Sequence, residues 1–128
     1  MTVRSVVILL SALVGLFGLL SRAQQSDPDA AVLEQLKKAG SNLSKPHKID
    51  FYLYFPDENA ARRAAKEIKD AGFGTEVRPA ATGSDWLCLA TKTMVPELSS
   101  LKKIRSDFTS LANAEKGDYD GWEAAIVK

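Results

Sequence analysis

Residues 49–55 read Ile-Asp-Phe-Tyr-Leu-Tyr-Phe, and the alternation in this stretch decides the fold. Ile49, Phe51, Leu53 and Phe55 fall on one side of an extended chain, and Asp50, Tyr52 and Tyr54 on the other, because strand side chains alternate with a period of two. This is a strand with one dry face. Pro56 ends it by withholding a backbone donor, and Asp57 offers a helix cap.

Downstream, the spacing predicts a helix over about 58–71, with Ala61, Ala64, Ala65, Ile68 and Ala71 on one stripe and Gly72 as its stop. Small residues on that stripe let the helix approach a sheet closely. Phe73, Thr75 and Val77 alternate with Gly74, Glu76 and Arg78, a short polar strand suited to a sheet edge. A turn-rich loop over 79–84 leads to Trp86-Leu87-Cys88-Leu89-Ala90, apolar on both faces and therefore read as a central strand. Pro96 opens the longest helix, where Leu98, Leu101, Ile104, Phe108, Leu111 and Ala112 recur at helical spacing before Gly117. Tyr119-Asp120-Gly121-Trp122 then turns the chain into a last strand through Val127, with Gly121 positioned for a bulge or close backbone approach.

Upstream, Asp27-Pro28-Asp29 reads as a helix start, with Val32, Leu33, Leu36 and Ala39 on a narrow stripe and Gly40 at the end. This short helix is expected to act as a lid. The succession is a helix followed by βαββαβ, an α+β class. A ferredoxin-like sheet satisfies it: four antiparallel strands, both long helices on one face, and the strands of residues 49–55 and 86–90 adjacent in the middle. Tyr52, Tyr54 and Trp86 become candidate aromatics of the open face, which the lid helix is expected to cover in part.

Residues 6–20 are apolar except for Ser11, Gly15 and Gly18, with Arg4 before them and Ser21-Arg22-Ala23 after. With flanking residues the stretch approaches the length that crosses a bilayer, about 17–25 residues. It reads first as a single N-terminal membrane anchor, and alternatively as a signal peptide cleaved before Gln24, leaving a periplasmic or secreted domain. The domain plan is therefore leader 1–23, linker and lid helix 24–47, and sheet domain 48–128.

Arg4 and Arg22 are two of 17 basic residues, so residues 24–128 carry 15 basic against 16 acidic groups. A near-neutral domain does not indicate a broad nucleic-acid footprint. Stacking of single-stranded RNA on Tyr52, Tyr54 and Trp86 is the minor alternative. Cys88 is the single cysteine and His47 the single histidine, which excludes an internal disulfide and multi-cysteine metal sites. Cys88 reads as an inert small hydrophobe and His47 as a loop residue. Asp118, Asp120 and Glu123 read as a solvated acidic cluster. The basic groups of the long helices, Arg62, Arg63, Lys66 and Lys69 and then Lys102, Lys103 and Arg105, face away from the apolar stripes. No catalytic, cofactor or metal-binding set is legible, and no small-molecule substrate is expected.

Residues 27–47, the Phe-Tyr-Leu-Tyr-Phe-Pro strand at 51–56, the segment 86–96 and the Tyr-Asp-Gly-Trp-Glu end at 119–123 together resemble the ribonuclease E inhibitor family RraB, regulator of ribonuclease E activity B. The resemblance covers about residues 26–128. It implies a small αβ module that binds ribonuclease E and restrains RNA cleavage by protein contact, without chemistry of its own. Beside it, Tyr119, Asp120, Gly121 and Trp122 become candidate partner contacts, with Trp122 as anchor; the other reading has Tyr119 and Trp122 plugging the core. An envelope adaptor of the same fold with an unrelated protein partner is the alternative function.

Overall fold

The computed structural model describes residues 27–128. The leader read as anchor or signal lies outside these residues, and among them no helix is long and apolar enough to cross a membrane. The elements are α1 (Pro28–Lys38), β1 (His47–Phe55), α2 (Glu58–Asp70), β2 (Gly74–Pro79), β3 (Trp86–Met94), α3 (Leu98–Ala114) and β4 (Asp118–Ala124).

The four strands form one antiparallel sheet in the order β2-β3-β1-β4, so the two most apolar strands are central, as expected. Ile49, Phe51, Leu53 and Phe55 of β1 are all buried, which fixes the register by tying one face to the core. The Phe51 ring meets Phe73 and Phe108 edge-on at 5.7 and 5.6 Å, so β1, the segment before β2, and α3 share one aromatic cluster. Each such side chain removed from water contributes about 1.5–3 kcal/mol.

Helix α2 buries Ala60, Ala61, Ala64, Ala65 and Ile68 and starts where the Asp57 carboxylate accepts the Ala60 amide at 2.9 Å. Helix α3 buries Leu101, Phe108 and Ala112. At the turn into β4, a Cβ on Gly117 would lie 2.6 Å from the Phe55 ring and also meet the Tyr54 carbonyl, so only glycine passes there.

Four expectations are corrected. Strand β1 begins at His47 and β3 runs to Met94, because the two pair over their whole length and the polar Thr91-Lys92-Thr93 tail has a partner throughout. His47 is thus a strand residue. Tyr119-Asp120-Gly121-Trp122 lies within β4 instead of leading into it, and that strand stops at Ala124. Finally, α1 is no lid over the tyrosines: it packs beside α3, and Val32 and Leu36 complete the same core. The three described helices therefore lie on one side of the sheet.

Candidate functional site

Two regions hold the residues singled out above: the end of β4 where it meets α1 and α3, and the sheet face that none of the described helices covers.

In β4 the register against β1 slips between Tyr52 and Leu53, so that Gly121 opposes Tyr52 while Tyr119 opposes Leu53. Asp120 is the extra residue of a bulge, which Gly121 permits with φ +103°. The slip has a consequence for side chains three apart, which would otherwise point to opposite faces. Trp122 opposes Phe51 and Tyr119 opposes Leu53, and both turn toward the helices.

There Trp122 is 1% exposed, and its Nε1 donates to Asp29 Oδ1 at 3.0 Å. Asp29, fully buried, also accepts both arms of the Arg105 guanidinium, each at 3.0 Å. The Arg105 guanidinium lies 5.2 Å from the Tyr119 ring centre, a cation–π distance. Lys102 reaches Asp27 at 2.7 Å, and this bond holds the Asp27 carboxyl below the usual carboxylate range. The cluster docks α1 on α3 and β4. Trp122 and Gly121 are buried, Tyr119 packs partly buried against the core, and Asp120 is the exposed member of the tetrapeptide.

His47 and Cys88 do not meet. Cys88 opposes Leu53, six residues along β1 from His47, or roughly 20 Å at about 3.3 Å per residue. The His47 ring is fully buried: Nδ1 donates to the Lys45 carbonyl at 2.8 Å, and Nε2 accepts from the Ser41 hydroxyl at 2.6 Å. Ser41 Oγ in turn accepts the Val127 amide at 2.9 Å, tying the loop before β1 to the end of the chain. Burial pushes the Cys88 thiol up to about 11, so at neutral pH it is protonated and a poor nucleophile.

The uncovered face carries Lys48, Asp50, Tyr52 and Tyr54 from β1, Leu87, Leu89 and Thr91 from β3, Glu76 and Arg78 from β2, and Asp118 and Glu123 from β4. Tyr52 and Tyr54 stand there as expected, each half-buried. Trp86 does not. It opposes Phe55 and packs on the core side, so its place among the open-face aromatics is corrected.

The Tyr52 hydroxyl donates to Glu123 Oε2 at 2.7 Å, and Thr91 Oγ1 donates to Asp50 Oδ1 at 3.1 Å. Burial, and then the bond to Glu123, raise the Tyr52 phenol well above its ordinary range; burial and the Asp120 charge raise Tyr54. Partial loss of hydration, and then the charge on Asp118, raise the Asp120 carboxyl above its ordinary value. The face is thus an acidic surface that carries two tyrosines and, opposite Tyr54, the buried Leu87. Phosphates of an RNA strand stacked on these rings would lie beside Asp50, Asp120 and Glu123, which opposes RNA binding. Among the described residues no His, Cys, Asp and Glu cluster is arranged to hold a metal ion.

A family model described as regulator of ribonuclease activity B, RraB, matches residues 26–124. No curated protein matches the chain.

Proposed function

The chain belongs to the RraB family of regulators of ribonuclease activity, and from that membership we propose that it is a noncatalytic module that binds ribonuclease E by protein contact and restrains its cleavage of RNA. The observation that supports this reading is the uncovered sheet face, where Tyr52 and Tyr54 sit within carboxylates that outnumber Lys48 and Arg78. Such a surface suits a partner segment with basic side chains around an apolar centre, since tyrosines supply large contact area and the acids set orientation and encounter rate. His47 and Cys88, the side chains best able to activate a substrate, are occupied or protonated within the core.

Residues 6–20 carry the second part of the proposal: they hold the domain at a membrane. Facing the cytoplasm, the domain meets a cytoplasmic ribonuclease; exported, it becomes an envelope adaptor for another protein. Fusions of alkaline phosphatase or a fluorescent protein after Lys128 separate the two, each being active on one side only.

The direct test adds the full chain to ribonuclease E and follows cleavage of a short RNA. Cleavage slows as the regulator approaches the enzyme concentration, and the pair Tyr52→Ala and Tyr54→Ala restores it without changing the circular dichroism. Unchanged cleavage together with no detectable binding overturns the reading.

A further inference from the structure

The outer edge of β2 has features beyond those of a protected sheet border. Strand β2 ends the sheet, and among the described residues nothing pairs with its far side. Its ladder with β3 continues one step past Pro79 opposite Trp86, where the Ala80 amide donates to the Asp85 carbonyl at 2.9 Å. In an antiparallel ladder, residues aimed at the neighbour alternate with residues aimed away. Ala80, Arg78, Glu76 and Gly74 therefore point their peptide groups at β3, and Thr75, Val77 and Pro79 point theirs outward. Pro79, which has no N–H, sits where its missing donor costs the sheet nothing.

This parity limits how another strand adds to the edge. A second copy pairing antiparallel must set outward residues against outward residues. When Val77 meets Val77 of the other copy, each amide donates to the other's carbonyl, and each Thr75 amide donates to the opposing Pro79 carbonyl. Glu76 of each copy then faces Arg78 of the other at a non-hydrogen-bonded position, where side chains approach most closely. A slip in one direction places Glu76 against Glu76, and in the other Arg78 against Arg78, so charge selects one register among those that the backbone allows. In the single chain, Arg78 Nη1 and Glu76 Oε2 are already 2.7 Å apart on the exposed face, so both side chains lie on the side where the exchange would take place.

We propose that β2 is a self-association edge: two copies join their Gly74–Pro79 strands antiparallel about a two-fold axis at Val77, making one continuous sheet with Glu76–Arg78 pairs exchanged between copies. The proposal is independent of the ribonuclease reading, because it places a second copy of this chain, and no other partner, on a different surface. It also doubles the length of the uncovered tyrosine face.

The test is sedimentation of the full chain in nonionic detergent over a concentration series. Wild type reaches twice the chain mass. Glu76→Arg and Arg78→Glu each remain monomeric, since each sets like charges opposite one another. Mixed in equal amounts, the two variants sediment as a dimer, and so does the double reversal carrying both changes in one chain. Thr75→Pro, which removes an outward donor and no bond to β3, weakens association with the circular dichroism unchanged. A wild type that stays monomeric, single variants that still dimerise, or a mixture that stays monomeric each overturn the proposal; dimerisation through the leader gives the second of these results, and pairing of the edge with a foreign peptide gives the first.

Discussion

The indole N–H of Trp122 donates to the buried carboxylate of Asp29 at 3.0 Å, joining residues 93 apart in sequence on an acid that also holds both arms of Arg105. Removing the acid leaves a half-buried guanidinium and a buried N–H without partners. Asp29→Ala is expected to cost about 3–5 kcal/mol, the range for one half of a buried ion pair. Asp29→Asn, which keeps an acceptor for Trp122, costs less. Urea unfolding of both variants, with Arg105→Ala to close a double-mutant cycle, checks the order.

Tyr119 offers the opposite sign. Its hydroxyl is buried and has no hydrogen-bond partner among the described residues, in a cluster where the buried Asp29 carboxylate and Trp122 N–H are both bonded. Tyr119→Phe removes an unsatisfied group and keeps the ring that packs 5.9 Å from Phe108. The variant should be neutral or more stable by up to about 1–2 kcal/mol, read as a raised unfolding midpoint. A clear loss of stability would show that the hydroxyl has a partner in solution.

The bulge makes a backbone prediction. Gly121 holds φ +103°, where a side chain is strained. Gly121→Ala is expected to cost about 1–3 kcal/mol. Deleting Asp120 removes the extra residue and leaves Gly121 opposite Tyr52 and Tyr119 opposite Leu53, so a regular strand still turns Tyr119 toward Arg105 and no longer needs the positive φ at Gly121. Urea unfolding reads the cost in Gly121→Ala, and Trp122 fluorescence stays that of a buried indole in both variants while the fold persists.

Alkaline stability follows from the tyrosines. Tyr52, Tyr54 and Tyr119 all have folded-state values raised above 10.0, chiefly by burial. An unfolded chain releases these protons near pH 10 while the folded chain retains them. Their contribution is thus fully present below pH 10 and is lost as pH rises above it. Tyrosinate absorbance should lag in the native protein, and the urea midpoint should fall above pH 10. In Tyr119→Phe the fall should be smaller.

The sequence made the sheet readable because β1 alternates without interruption, so one strand with a dry face constrains its neighbours. The same reasoning lost Trp86, since a strand apolar on both faces carries no parity of its own; only pairing with Phe55 assigns its side. It lost α1 for a related reason, as a narrow stripe says that a helix packs and not against which layer. Gly121 signalled a bulge, but the meaning of the bulge for Tyr119 and Trp122 depends on which residue of β1 each opposes. Asp29 read as an ordinary first-turn acid. Its burial depends on Arg105 and Trp122, both distant in the chain, so local spacing held no trace of it.

The anchoring of α1 also sets the mechanical character of the module. Asp27 and Asp29, where the described chain begins, are bonded to Lys102 and Arg105 of α3. A pull applied at that end loads the ionic grips between the two helices and, through the Trp122–Asp29 bond, the edge strand β4 as well. Because the next residue, Glu123, accepts the Tyr52 hydroxyl, tension on α1 is felt at the tyrosine surface through one strand.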